Sequence, residues 1–412
     1  MKIRSIDSFL LSSPFDPPIQ LPYFGGDRTL YKRDAMLIRV EADNGLVGWA
    51  PGQPTEHTKQ VIDQVIEPFL TDHHIGDPDA LRILFLRGPG KDHQVARIYC
   101  SVELAFYDLL GKAHAAPVSE FIGGRIRDRI RVYGSAGMYM SPEAYADEAA
   151  AIAGLGFRAY KMRPAAGPEE DLRTIQLIRK AMGQKVDIMV DAHTWWRMGD
   201  KSYSPREVED LARAFGDLEV AWLEEPLPPH DHEAYRRLKD MNLLPIAAGE
   251  HEPNDEQYLD LILTNSVDYV QMDIVCQGGY PTGRRILPEI EQAGLRFAFH
   301  SFGTALEVLA AAHLGICYPE TLVDWLEYPC YRTPVSSGMY PFPLAADVLK
   351  EPLNLEHGEL VVPREPGWGM DINEKAIEQY PWIPGPWSTF RLHSPAQTFE
   401  VTGDHSYLGR QP

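Results

Sequence analysis

VDIMVDAH (186–193), VAWLEEP (220–226) and IAAGEHE (246–252) share one grammar. Each is a short apolar run, too brief for a helix, that ends on carboxylates: Asp191, the Glu224–Glu225 pair and Glu250. The same grammar extends in both directions. Upstream stand IRVYGSAGMY (130–139) and FRAYKMR (157–163); downstream stand VDYVQMDI (267–274), RFAFHS (296–301) and LVDWLEY (322–328). Most of the gaps hold amphipathic helical stretches, such as SPEAYADEAAAIAGLG (141–156) and EDLRTIQLIRKAMG (170–183). Strands alternating with helices at this period predict parallel βαβ units. Eight such units predict an α/β fold with a closed (β/α)8 TIM-type barrel.

Outside the barrel the pattern changes. Residues 1–126 read as a mixed α and β domain. MLIRVEADNGLVGWA (36–50) alternates around Asn-Gly, a hairpin signal, and 58–70 and 97–113 carry helical periodicity. The barrel unit is assigned to 127–365. The segment 366–412 is rich in Pro, Trp and Tyr. Its PGWGMDI stretch is read as returning to the first domain, and the part beyond about 380 as an aperiodic tail or a subunit contact.

In such a barrel, catalytic side chains come from the C-terminal ends of the strands. Here those ends carry Lys161 and Arg163, Asp191, Glu224, Glu250, Asp273, His300 and Glu327. From Asp191 onward, neighbours in that series are 23 to 33 residues apart, about one βα unit. They are therefore expected at one mouth. Three converging carboxylates, Asp191, Glu224 and Glu250, repel one another unless a cation sits between them. An all-oxygen set selects Mg2+, with Mn2+ as the substitute, over zinc. Asp273 beside His300 fixes the imidazole tautomer and raises its basicity. Lys161 and Arg163, two apart on a strand, share a side and suit a carboxylate substrate. Glu327 is a candidate acid or a salt-bridge partner.

Composition narrows the partners. Net charge is −20 and the pI about 5.1, which disfavours nucleic acid. No run approaches the roughly 18 apolar residues of a membrane helix, and MKIRSIDSFLLSSPF (1–15) lacks a leader pattern. Cys100, Cys276, Cys317 and Cys330 are scattered and read as reduced thiols. A soluble cytoplasmic enzyme with a small-molecule carboxylate substrate is the expectation.

DAH (191–193), WLEEP (222–226), AGEH (248–251), MDI (272–274), FHS (299–301) and WLE (325–327) together resemble the enolase superfamily, within it the mandelate racemase subgroup. The resemblance covers nearly the whole chain. It implies that 1–126 is a capping domain completed by C-terminal residues, and it suggests a homo-oligomer. It also implies that Asp191, Glu224 (rather than Glu225) and Glu250 are Mg2+ ligands, that His300–Asp273 is a catalytic dyad, and that Glu327 is the strand-eight acid. Superfamily members use a Lys or His base with Mg2+. One departure is informative: the subgroup's Lys-x-Lys is here Lys161-x-Arg163. A guanidinium is a poor base, so one good base faces the substrate. Dehydration of an aldonic or aldaric acid to a 2-keto-3-deoxy acid is favoured over racemisation, with Lys161 retained as a possible second base. An epimerase, a cycloisomerase and a non-catalytic sugar-acid binder remain the alternatives. His193 and His251 are candidate substrate contacts. In the capping segments near 15–30 and 51–57, Arg28, Gln53 and His57 are read as reaching a polyol chain, and Tyr23 and Phe24 as excluding water.

Overall fold

The computed structural model describes residues 1–330 and 342–403. Residues 331–341 of the barrel unit and 404–412 of the tail therefore lie outside the described residues.

The chain begins with strands β1 (Ile3–Tyr23), β2 (Gly26–Ala42) and β3 (Val47–Gly52), all antiparallel. Asn44-Gly45 closes the β2–β3 hairpin, with Gly45 at φ 82°. The β1–β2 hairpin is long because its register shifts between Pro14 and Ile19, which absorbs the Pro-rich FDPP stretch. The region read as a loop over the barrel mouth is thus the tip of this hairpin. Phe24 N–H donates to Ala165 O at 2.7 Å and pins the tip to the barrel. The helix His93–His114 packs behind the sheet. Its buried Asp108 accepts Trp49 N–H at 2.9 Å and Trp368 N–H at 3.0 Å. Trp368 Nε1 donates to Trp49 O at 2.7 Å, so the PGWGMDI stretch lies against the N-terminal unit.

Eight strands follow: β4 (Arg129–Met138), β5 (Ala159–Arg163), β6 (Asp187–Asp191), β7 (Trp222–Glu224), β8 (Ile246–Ala248), β9 (Tyr269–Asp273), β10 (Arg296–His300) and β11 (Val323–Pro329). They pair in parallel in that order, and β11 returns to β4, closing the barrel. A capping domain on a (β/α)8 barrel is the resulting architecture.

One residue per strand plugs the lower lumen: Tyr133, Ala159, Met189, Trp222, Ala247, Tyr269, Ala298 and Trp325. Three alanines are interspersed among five bulky side chains around the ring. Side chains two residues further along a strand share the same side. Those positions are Ser135, Lys161, Asp191, Glu224, Gly249, Gln271, His300 and Glu327. The apolar plug and the polar layer above it follow from one alternation.

After the barrel, β12 (Leu355–Glu356) and β13 (Glu359–Val361) form a small hairpin against β4. β14 (Ser388–Leu392) and β15 (Gln397–Val401) form another. β14 pairs with β2, Ser388 opposite Leu30 and Leu392 opposite Gly26. The stretch read as an aperiodic tail therefore carries two strands that extend the cap sheet. Among the described residues, no helix is long and apolar enough to cross a membrane.

Candidate active site

The polar layer is a buried network of charge. Lys161 Nζ lies 2.7 Å from Glu224 Oε1, 3.0 Å from Glu327 Oε1 and 3.7 Å from Asp191 Oδ2. Burial alone would lower the Lys161 pKa, but Glu224, Glu327 and Asp191 outweigh it and hold the ammonium charged. Arg163 places Nε 3.0 Å from Asp191 Oδ2 and Nη2 3.1 Å from Glu327 Oε1. Its Nη1 donates to Ser135 Oγ at 3.1 Å and Ala136 O at 3.2 Å. Burial raises the Glu327 carboxyl, but Lys161, His300 and Arg163 pull it down to about 2. Glu327 is thus a carboxylate clamped between cations. That arrangement corresponds to the salt-bridge reading of this residue.

His300 stands on the opposite wall. Its Nδ1 lies 2.9 Å from Asp273 Oδ2. Asp273 Oδ1 accepts the Val275 and Cys276 N–H groups, each at 2.8 Å. The turn after β9 thereby fixes the carboxylate that aims the imidazole. His300 Nε2 lies 3.0 Å from Glu250 Oε2 and 3.8 Å from Glu327 Oε2. Burial lowers the His300 pKa, but Glu250, Glu327 and Asp273 raise it well above its ordinary value.

Asp191 and Glu224 end β6 and β7, Glu250 follows β8 by two residues, and all three are buried. Gly249, at φ 133°, makes the turn that delivers Glu250, because a Cβ there would meet Gln271 O at 2.3 Å. Glu224 Oε2 accepts Trp222 Nε1–H at 3.0 Å. Glu250 Oε2 is buried beside His300 Nε2 at 3.0 Å. Burial pushes the Glu250 carboxyl up to about 8, with Glu225 adding to the shift and His300 opposing it. Buried carboxylates in this number suit a hard divalent cation that takes oxygen donors. The resemblance implies Mg2+ on Asp191, Glu224 and Glu250; the compact donor set in the structure is Glu225, Glu250 and His251.

Three placements differ from the sequence reading. His251 turns to Glu225, with Nδ1 in contact with Glu225 Oε2, and is fully buried away from the cavity. Glu225, set aside as the spare carboxylate, joins Glu250 and His251 in a compact donor set whose ligand atoms lie within 4.8 Å of one another. Its φ of 45° turns its side chain the other way from Glu224. Gln53 does not line the central cavity. Its neighbours Pro51, Gly52 and Pro54 line an adjoining one that shares Phe302 and Trp387, because β3 lies at the seam between cap and barrel. His57 is exposed.

The central cavity, with about 50 Å3 open to water-sized groups, is lined by Arg28, Arg163, Asp191, His193, Arg197, Glu250 and His300, with Met138, Phe302, Trp387 and Phe390. His193 lines it, but its Nδ1 lies 2.6 Å from Asp191 Oδ1, which ties the ring to the acid. Burial lowers the His193 pKa to about 3, opposed by Asp191. Tyr23, at the hairpin tip, packs against Tyr139 at 5.2 Å. Phe24 packs edge-on against Tyr203 at 6.4 Å. Sequence reasoning missed Arg197, Trp387 and Phe390. Arg197 lies in WWRMGD, just beyond the DAH motif, and that proximity was the available signal. The other two reach the cavity only through the β14–β2 pairing.

The model of the enolase C-terminal domain-like family matches residues 144–376, more than half of the chain. The chain belongs to that family. Its relatives span more than one reaction. D-galactarolactone cycloisomerase of Agrobacterium fabrum is 26% identical over 92% of this chain and 99% of its own length. D-gluconate dehydratase of Thermoproteus tenax is 26% identical over 84% of this chain and 69% of its own length. Among solved structures, the 3,6-anhydro-D-galactonate cycloisomerase from Zobellia galactanivorans superposes with a TM-score of 0.78 at 26% identity, covering 92% of this chain and 99% of that one. The protein is an enzyme of the enolase superfamily, whose members bind Mg2+.

Proposed function

We propose that the protein dehydrates an acid sugar, an aldonate or aldarate, to a 2-keto-3-deoxy acid. The observation that carries this reading is the one-sidedness of the site. His300, aimed by Asp273, faces the cavity from one wall. The cations of the other wall, Lys161 and Arg163, are buried and held in ion pairs by Glu224, Glu327 and Asp191. A single base suits elimination, whereas racemisation needs proton donors and acceptors on both faces.

In that reading, the deprotonated form of His300, which the carboxylates around it disfavour, takes the α-proton on Nε2 while the C–H electrons move toward the substrate carboxylate. Asp273 holds the tautomer and stabilises the imidazolium. The imidazolium then returns its proton to the departing β-hydroxyl, so that water leaves and the resulting enol becomes the 2-keto acid. Asp191, Glu224 and Glu250 would hold Mg2+ (or Mn2+), whose positive charge would offset the charge developing on the substrate carboxylate. Lys161 and Arg163 orient that carboxylate, and Phe302, Trp387 and Phe390 keep bulk water from the reacting carbon.

The test is a panel of aldonic and aldaric acids incubated with Mg2+-loaded protein and assayed for 2-keto-3-deoxy products. One strong substrate supports the reading; none, with metal binding confirmed by calorimetry, overturns it. A second reading has a specific observation behind it: two relatives matched over 92% of this chain are named cycloisomerases. A cycloisomerase forms or opens a ring with no change in mass, so mass spectrometry of the product separates the two.

A further inference from the structure

Asp273 opens the run DIVCQGG (273–279), of which it alone enters the proposed reaction. Four residues on, Gln277 is 5% exposed, although its amide carries an acceptor and two donors. The Gln277 N–H donates to Asp273 O at 3.0 Å and closes the turn. The side chain then reaches two neighbouring strand ends at once. Gln277 Oε1 accepts the Asp273 N–H at 2.8 Å, and Gln277 Nε2 donates to Glu250 O at 2.5 Å.

Backbone pairing between β8 and β9 stops at Ala248 opposite Val270. Glu250 and Asp273 both lie beyond it, so this ladder does not hold them at one separation. Side chains take over there. Tyr258 Oη donates to Gly249 O at 2.7 Å, with Gln271 O at 3.2 Å. Gln277 then does what a peptide group does within a sheet: it offers a donor to one strand and an acceptor to the other. The turn that carries it is held from outside the barrel. Arg97 Nη2 and Nε donate to Cys276 O at 2.6 and 3.2 Å, and Ser101 Oγ donates to Val275 O at 3.3 Å. Both side chains come from the helix His93–His114. A side chain on so fixed a turn constrains the strand ends rather than following them.

We propose that Gln277 is a positioning residue whose amide sets the separation between Glu250 and the Asp273–His300 pair. This deepens the proposed reaction and rests on that reading for the roles of Glu250 and His300. His300 Nε2, 3.0 Å from Glu250 Oε2, is the atom that senses both ends of the bridge. Removing a group that orients a metal ligand costs about 10–100-fold in metal affinity or activity, and a misplacement of about 1 Å costs on the order of 10²-fold in rate.

The test compares the native chain with Gln277→Met, which removes donor and acceptor at similar length, and Gln277→Asn, which keeps an amide one methylene too short to span both ends. Asn is the smaller change and serves if the Met variant does not fold. Urea unfolding, Mg2+ affinity by calorimetry and solvent-deuterium exchange at the substrate α-carbon in saturating Mg2+ are measured on each. Both variants are expected to bind Mg2+ about 10–100-fold more weakly and to exchange the α-proton at least ten-fold more slowly, at temperatures where urea titration shows them folded. A lowered urea midpoint with native Mg2+ affinity, or native exchange in saturating Mg2+, shows a merely structural glutamine and overturns the proposal. A native chain that binds no Mg2+ overturns it together with the metal assignment. Weakened Mg2+ binding and slowed exchange, in a chain whose product is not a keto acid, keep the role of Gln277 and remove the dehydratase reading. If the native chain acts on no acid of the panel, that reading falls and Mg2+ affinity alone decides the role of Gln277.

Discussion

His300 Nδ1 and Asp273 Oδ2 lie 2.9 Å apart on neighbouring strands, where the two residues are direct partners in the β9–β10 register. Neither can shift along its strand without breaking that register, so the dyad is as rigid as the barrel.

His300→Asn is therefore expected to remove α-proton exchange while leaving the metal site intact. The expected loss is on the order of 10²–10⁴ in rate. Deuterium incorporation into substrate, followed by mass spectrometry, measures it. Exchange persisting at the native rate would move the base to Lys161.

Lys161→Met is expected to unfold the protein more readily. It leaves Glu224 and Glu327 buried with one cation fewer, and breaking a buried ion pair from one side costs about 3–5 kcal/mol. Urea titration gives the number. A change below about 1 kcal/mol would mean that the network rearranges, with Arg163 taking up the carboxylates.

Mg2+ is expected to raise the melting temperature and EDTA to reverse the effect, because a cation bound only by the native state stabilises by about 2.7 kcal/mol at 100 times its Kd. Glu250→Gln should weaken this response. A melting curve indifferent to Mg2+, together with no heat of binding, would remove the metal assignment from Asp191, Glu224 and Glu250.

Glu148 offers a test of pH dependence. It is buried and accepts Tyr160 Oη–H at 2.6 Å. Burial pushes its carboxyl up to about 7, opposed by hydrogen bonds from Tyr160 and the Gly137 N–H. The native state thus holds this proton more tightly than the unfolded chain does. The resulting stability is fully present below about pH 4.5 and is lost as the pH rises through about 7. Glu148→Gln, which cannot ionise, should shrink the stability drop between pH 5 and pH 8 by roughly 1–3 kcal/mol. An unchanged drop would show that Glu148 does not titrate there.

The barrel was legible because its grammar is local. Each strand is a short apolar run, and several carry a functional side chain two residues beyond the lumen plug, as Asp191 follows Met189 and His300 follows Ala298. Asn44-Gly45 revealed its hairpin for the same reason. What the sequence hid depends on distant pairing. STFRL (388–392) alternates over only four residues, Phe390 and Leu392 against Thr389 and Arg391, after a Pro-rich stretch, and its partner is the distant Gly26–Leu30. Trp387 and Phe390 could not be placed at the cavity without that partner. Glu225 was hidden differently. Adjacent to Glu224, it is separated from it by a backbone turn at φ 45° that no residue type announces.

The sheet that roofs the cavity takes β1 and β2 from the first 42 residues and β14 and β15 from residues 388–401. During synthesis Gly26–Leu30 of β2 must wait more than 350 residues before β14 covers its edge. The barrel can close beforehand, but its mouth lacks Trp387 and Phe390 until the ribosome has passed them. A nascent chain that stops short of β14 would thus hold its charged machinery beneath an unfinished roof, so competence for turnover waits for β14.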